Sequence, residues 1–451
     1  MRFLSFLPLT LHTAAQGQPE VYDSKTILSI TSEDTLIDVC EVPKRLTDAG
    51  FEADQKIEAF LRNASVKTLS YAKLQIVDTS NTTVSSDDLC TFLNETAAKL
   101  DLMEIVCSKN LLDKQTALDS DLHVNDPNAH KQHQLIRMRM GEVWKLAAPY
   151  VRRMVTVAVL DSGINFTDPD LAQTRGIFRK KSGGYYYGGW NFLNDSSVLD
   201  ARNPHGTVTA RLIGATRNNS IDMTGMSPNV RFASFVGNNA SGYGSYSAMA
   251  ESINAAIDIG ADVISIGFGG KDRSHFTRSI LAPAFREADR NGIIVVAPAG
   301  NLGKLADDFY PCALGGSNFM CVAALEDTDD YTVASWSNYG DRVDIAAPGT
   351  YVYSGIPTSG STEYSYGTSW ATPLVAGTAA LLLSMDVKPH YVKRMITHYA
   401  HRFTTPGRPL KAGAGALSPY NVVLMATRYP MFRRGARSLR ANMQDEFPPL
   451  E

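Results

Sequence analysis

Long hydrophobic runs are missing from this chain of 451 residues. Past its first residues no stretch reaches the ~18 uninterrupted apolar residues of a bilayer-crossing helix, so no membrane span is expected. An excess of one charge is missing too: 43 Lys+Arg stand against 46 Asp+Glu, a formal net charge of -3. That balance gives no field to draw nucleic acid or an anionic membrane surface, and neither is expected as a partner. No internal repeat and no long low-complexity tract is present, which sets repeat architectures aside. Cysteine is scarce and odd in number, at five.

What is present describes an ordered globular protein: 44% hydrophobic residues and 34 Gly, enough to bury a large core joined by many tight turns. The opening "MRFLSFLPLTLHTAAQG" has a basic Arg2, a short apolar run and small residues near Ala15. It matches a secretory signal peptide over 1–17, so the chain is expected in the secretory-pathway lumen or outside the cell. N-x-S/T sites at Asn63, Asn81, Asn94, Asn165, Asn194, Asn218 and Asn239 suit that route. In an oxidising compartment Cys312 and Cys321, in "CALGGSNFMC", are the pair expected to bridge; the pairing of Cys40, Cys90 and Cys107 stays open.

Residues 18–125 are polar and poor in Gly, with strand-like "ILSIT" and "LSYAKLQIV" and helix-like "DLCTFLNETAAKL", which together suggest a small α+β unit. A turn-rich linker, "DSDLHVNDPNAHKQHQ", follows. The texture then changes. Apolar runs at 155–160, 230–236, 262–268, 293–299, 320–325 and 343–347 alternate in part with amphipathic stretches such as "SYSAMAESINAAIDIG" and "SILAPAFREADRNG". Near-continuous apolar strands divided by helices imply a mostly parallel sheet covered on both faces, with its ligand site beyond the carboxyl ends of the strands. The last residues, 428–451, read as a tail with a basic part and an acidic end.

Three segments fall where such a site belongs. "VAVLDSGI" puts Asp161 at a strand end, "NPHGTVTARLIGA" puts His205 at a helix start, and "GTSWATPLVAG" puts Ser369 at another. Taken alone, Thr368 or Ser369 is a helix cap, because Gly367 precedes it and Pro373 is tolerated only near a helix N-terminus. Taken together, Asp, His and Ser in that order supply an orienting group, a base and a nucleophile. A serine hydroxyl is a weak nucleophile that needs an adjacent base, and imidazole suits the task near neutral pH.

"DSGI", "HGT", "PAGN" and "GTSxATP" occur in the order of the subtilisin-like serine proteases, and residues 126–427 resemble that family's catalytic domain. The resemblance implies a three-layer α/β fold and a serine endopeptidase acting on protein or peptide substrates through an acyl-enzyme. Asp161, His205 and Ser369 would form the triad, and Asn301 would join the Ser369 amide in the oxyanion hole. "SGYGSYS" and "GFGG" resemble the strands that flank an extended substrate, which brings in Gly242, Gly244, Tyr246, Gly267, Phe268 and Gly269, with Met249 beside them. "DFYPC" resembles the floor of the primary specificity pocket, where Phe309 would narrow it. A structural Ca²⁺ is also implied, with oxygens from Asp126, Asp170 and Asn219 and from the carbonyls of Arg217, Ile221 and Met223. Residues 18–125 resemble a propeptide that inhibits the enzyme intramolecularly until cut away between residues 110 and 130, leaving an enzyme expected to be monomeric.

The sequence departs from the family beside His205. "HGTVTAR" has Val208 for a His, Thr209 for an aliphatic residue and Arg211 for a Gly, while "NFTDPDL" has Asp168 where many members have His. Trp370 and Leu374 are milder changes. An arginine at a close helix contact must snorkel out or find an acidic partner. These departures motivate the alternative of a weakly active or inactive homologue that binds peptides.

Overall fold

The computed structural model describes residues 22–32, 35–69, 74–79, 82–100, 104–111, 122–199, 201–272, 275–328, 330–355 and 363–434. The expected signal peptide, Asn81, residues 112–121 of the expected processing stretch and the tail past 434 lie outside them. The chain divides into two compact units near residue 117.

The first unit is α+β. Its strands are β1 (Tyr22–Ser32), β2 (Thr35–Leu36), β3 (Val66–Leu69), β4 (Leu74–Asp78) and β5 (Glu104–Leu111). β1 pairs antiparallel with β2, β4 and β5, and β3 pairs with β4. Helices α1 (Val42–Asp48), α2 (Gln55–Leu61) and α3 (Ser86–Leu100) supply Leu46, Ile57, Leu61, Leu89 and Leu93 to its core. Asp54 caps α2 by accepting from the Lys56 and Ile57 amides. A disulfide joins Cys90 of α3 to Cys107 of β5, and Cys40 is left free and exposed.

The second unit is built on seven strands: β6 (Val155–Asp161), β7 (Gly189–Asn191), β8 (Val230–Val236), β9 (Val263–Ile266), β10 (Ile294–Pro298), β11 (Phe319–Leu325) and β12 (Ile345–Pro348). They lie in the order β12–β11–β10–β9–β6–β8–β7, and each pairing is parallel. Both faces are covered, as the unbroken apolar runs require. Val155, Val157 and Val159 of β6 face one core, which also takes side chains from α4 (His205–Gly214). Ala158 and Leu160 face the other, with α5 (Tyr246–Asp258) and α6 (His275–Arg290). Helix α7 (Thr368–Ser384), almost wholly buried, packs on the first face. Its all-round apolar sequence follows from that position. β7, short and set in a Gly- and Tyr-rich segment, carries no strand pattern in the sequence. Cys312 and Cys321 are bridged, as expected.

A parallel sheet aligns the carboxyl ends of its strands along one edge. Asp161 ends β6, Gly267 follows β9, and Asn301 follows β10.

Arg211 does not snorkel out. Its side chain is 8% exposed, and its guanidinium grips Asp168 through Nε (2.8 Å) and Nη2 (3.1 Å) and Asp222 through Nη1 (2.6 Å). Tyr353 and Asn128 also donate to Asp222, at 2.9 and 2.8 Å. Burial opposes the guanidinium charge, and the two carboxylates outweigh it, so the Arg211 pKa rises. The two departures from the family, Asp168 and Arg211, are thus a complementary pair that ties α4 to the loops before and after it. Removing one partner of a buried ion pair leaves uncompensated charge. Arg211→Leu is expected to lower stability by about 3–5 kcal/mol, measured by urea unfolding; a loss within about 0.5 kcal/mol, as for an ordinary surface change, would contradict the clamp.

Candidate active site

Asp161 is fully buried, and every oxygen of its carboxylate has a donor. The Ser162 amide donates to Oδ1 at 2.7 Å, and the Thr209 hydroxyl donates to Oδ2 at 3.1 Å. His205 Nδ1 lies 2.8 Å from Oδ1 and 2.9 Å from Oδ2. With its proton on Nδ1, His205 keeps Nε2 free to act as a base. Burial disfavours the charged imidazole, yet the charge and hydrogen bond of Asp161 outweigh it and hold the His205 pKa above its usual value.

The helix start is held as firmly as the ring. Asn203 Oδ1 accepts from the His205 amide at 3.0 Å, and Ser162 Oγ accepts from Gly206 N at 3.0 Å. A β-carbon on Gly206 would overlap the Gly163 carbonyl, and one on Gly267 would overlap Asp161 Oδ2. Only glycine lets β9 end this close to the carboxylate.

Ser369 sits in the first turn of α7, half-buried. The capping differs from the sequence expectation. Gly367 occupies the cap position with no side-chain bond, and neither Thr368 nor Ser369 caps the helix. Asn301 does so from the loop after β10: its Oδ1 accepts from the Thr368 amide (2.9 Å) and hydroxyl (2.8 Å). This fixes which end of the Asn301 amide is the donor, and Nδ2 faces Gly367, 3.5 Å from where its β-carbon would be. Ser369 is thereby free of capping duty. Pro373 lacks the amide hydrogen that would otherwise bond the Ser369 carbonyl.

Trp370, the next residue, joins the two halves of the site. Its ring centroid lies 4.5 Å from that of His205. The substitution is therefore not mild: a buried indole packs against the imidazole. Thr209 and Trp370 are the site residues whose roles the sequence did not reveal, because both act through contacts between distant segments.

The two glycine-containing segments meet. The ring of Phe268 lies over Gly244 and Gly237, 2.6 and 3.0 Å from their β-carbon positions, and the Tyr246 hydroxyl is 2.9 Å from that of Gly270. Residues 239–243 form a turn, the Asn239 side chain accepting from the Ser241 and Tyr243 amides, with Gly242 at φ 82° and one bridge from Asn238 to Gly244. Gly270–Lys271 pairs with Phe309–Tyr310. The Phe309 ring is wedged between Gly269 and Gly300, 2.8 and 2.6 Å from their β-carbon positions, beside Asn301. Met249 is wholly buried in the core, not beside these segments' surface, because it points inward from α5.

The residues expected around a cation gather about the loop of residues 217–223. Asn219 Nδ2 and the Met223 amide donate to the two oxygens of the buried Asp170, at 2.8 and 3.2 Å, and Asn219 Oδ1 accepts from Ile221 N at 2.9 Å. Burial pushes the Asp170 carboxyl up to about 6. Asp126 spends its two oxygens on the Asn218 and Asn219 amides, and the Arg217 guanidinium lies 5.0 Å over Trp144. Among the described residues no group of three or more His, Cys, Asp or Glu could hold a metal.

Comparison with known proteins agrees with this arrangement. Residues 152–415 match the model of the subtilase family, Peptidase S8. Thermitase of Thermoactinomyces vulgaris is 34% identical over 284 residues, 63% of this chain and 93% of that protein. Subtilisin DY of Bacillus licheniformis is 34% identical over 241 residues, 53% of this chain and 80% of that protein. A solved protease structure from Pseudoalteromonas arctica superposes with a TM-score of 0.53 at 25% identity, covering 67% of this chain and 99% of that one. With its catalytic-unit fold, its motif order and these likenesses in agreement, the chain belongs to the subtilase family and is a subtilisin-like serine peptidase.

Proposed function

We propose that the chain cleaves internal peptide bonds with Ser369 as nucleophile, His205 as base and Asp161 as the group that orients it. The observation that carries this is the unbroken line of contacts from Asp161 to His205 to Trp370, the neighbour of Ser369. Ser369 Oγ attacks the carbonyl carbon, and its proton passes to His205 Nε2 while Nδ1–H stays on Asp161. The carbonyl π pair moves onto oxygen, where Asn301 Nδ2 and the Ser369 amide donate to it, aided by the start of α7. Collapse expels the amine, which takes the proton from His205 and leaves an acyl-Ser369. Water then attacks the acyl carbon as His205 takes its proton, and collapse releases the acid while His205 returns that proton to Ser369 Oγ. The held-up His205 pKa suits a base that must be neutral to start and charged midway. Arg211 is fully paired with Asp168 and Asp222, so the departure that motivated an inactive homologue leaves the Asp161–His205 pair untouched.

Substrate would lie extended between residues 242–246 and 267–270, held by main-chain bonds. Phe309, wedged between Gly269 and Gly300, takes up the space where the side chain preceding the cut would enter, favouring small residues there. The first unit would act as an intramolecular inhibitor on a secreted zymogen, with the mature enzyme a monomer. For the cation, the fit rests on the donor chemistry: Asp170 is a buried carboxylate, Asn219 now meets it through Nδ2 and would turn its Oδ1 to the ion, and the carbonyls of Arg217, Ile221 and Met223 in the same loop would complete a hard-oxygen set of the kind Ca²⁺ takes. Bound Ca²⁺ would supply charge to offset the buried carboxylate; Asp126 shapes the loop through its amides.

Ser369→Ala should abolish labelling by a fluorophosphonate probe that modifies the wild type; labelling that persists in the mutant would remove Ser369 as nucleophile. Phe309→Gly should shift a peptide-library profile toward larger residues before the cut, by about 10–200-fold per methylene group accommodated; an unchanged profile argues against the pocket assignment. Chelation should lower the melting temperature of the wild type, with Ca²⁺ at about 100-fold its Kd worth about 2.7 kcal/mol. Asp170→Asn should lose that response, and an equal response in both would place any cation elsewhere.

A further inference from the structure

Thr209 stands one turn after His205 on α4, and its side chain is as buried as the carboxylate it meets. Its hydroxyl donates to Asp161 Oδ2 at 3.1 Å. Ser162 N and the Thr209 hydroxyl thus approach the carboxylate on opposite oxygens, and His205 Nδ1 spans both. Without Thr209, Oδ2 would keep only its share of the imidazole, and one oxygen alone would set the orientation of the carboxylate. A valine has nearly the same shape and no donor, so exchanging the two tests the hydroxyl with little change in the space filled.

We propose that Thr209 is a positioning residue for the Asp161–His205 pair, its hydroxyl fixing the plane of the carboxylate against which the imidazole turns. The inference rests on the triad assignment above. Charge is confined in this neighbourhood. Asp161 is the charged group acting on His205; Ser162 at the end of β6, Gly267 after β9, Asn203 before α4 and Trp370 on α7 are uncharged. Arg211, further along α4, is engaged by Asp168 and Asp222. A donor on Oδ2 draws negative charge away from the imidazole, so its loss should tighten the hold of Asp161 on the His205 proton. Because the base must be neutral, the acid limb of kcat/KM should then move to higher pH than in the wild type, where Asp161 already holds the His205 pKa up.

The test is the pH profile, on a peptide substrate, of the processed enzyme obtained by expressing the full chain. Thr209→Val should lower kcat by about tenfold with KM unchanged, because a carboxylate no longer fixed in plane aims the imidazole less well, and should raise the acid limb. Thr209→Ser should restore kcat to within about twofold, since it keeps the donor. Thr209→Ala serves if the valine variant does not fold, with the same expected changes. The inference is overturned if the valine or alanine variant retains the wild-type kcat and acid limb, or if serine fails to rescue. Fluorophosphonate labelling separates the two levels: a wild type that is never labelled defeats the triad assignment and this inference with it, whereas a labelled wild type with an unchanged Thr209→Val profile defeats this inference alone.

Discussion

A carboxylate taken wholly out of water must be matched donor for donor, because an unsatisfied buried charge costs several kcal/mol. Asp161 is such a group. Its satisfaction dictates much of the architecture around it. The Ser162 amide, the Thr209 hydroxyl and His205 Nδ1 close over it from a strand end and a helix. Gly267 is there because any side chain would intrude on the carboxylate. The same contacts that make the aspartate tolerable in the interior also aim the imidazole, so stability and chemistry are met by one set of bonds.

The opposite end of α4 solves a second electrostatic problem in a second way. A guanidinium takes two carboxylates from the loops on either side of the helix, with Tyr353 and Asn128 completing the shell around Asp222. The helix that carries His205 is therefore pinned at both ends, by a hydrogen-bonded carboxylate at one and an ion cluster at the other. Fixing a helix in this way limits how far its first residue can drift, and small displacements of a catalytic group carry large kinetic penalties. Arg211 is accordingly part of the scaffold, and its presence does not argue against catalysis.

The start of α7 follows the same economy. Asn301, after β10, accepts from the amide and hydroxyl of Thr368 at the start of α7. One residue thereby caps the helix, orients its own amide and leaves Ser369 unencumbered. Trp370 then bridges back to His205. Two helices and three strand ends meet through contacts between residues far apart in the chain.

How much of this could be read from the residues alone depends on the range over which each signal acts. Apolar run length and glycine-bounded turns are local, so six of the seven parallel strands, the covering helices α5 and α6, the Cys312–Cys321 bridge and the order Asp161, His205, Ser369 were legible. β7 was not, being three residues long in a segment without an apolar pattern; nor were β2, β3, β5, α1 and α2 of the first unit. Tertiary structure alone decided that Asn301 caps α7, that Met249 turns into the core, that Cys90 pairs with Cys107, and that Asp168 and Arg211 answer each other. Residue type and spacing along the polymer set what each segment can form and which chemistry it can carry. Which side chain satisfies which buried charge is settled only when the segments pack, because a hydrogen bond or ion pair is defined by distance in space and leaves no mark on sequence periodicity.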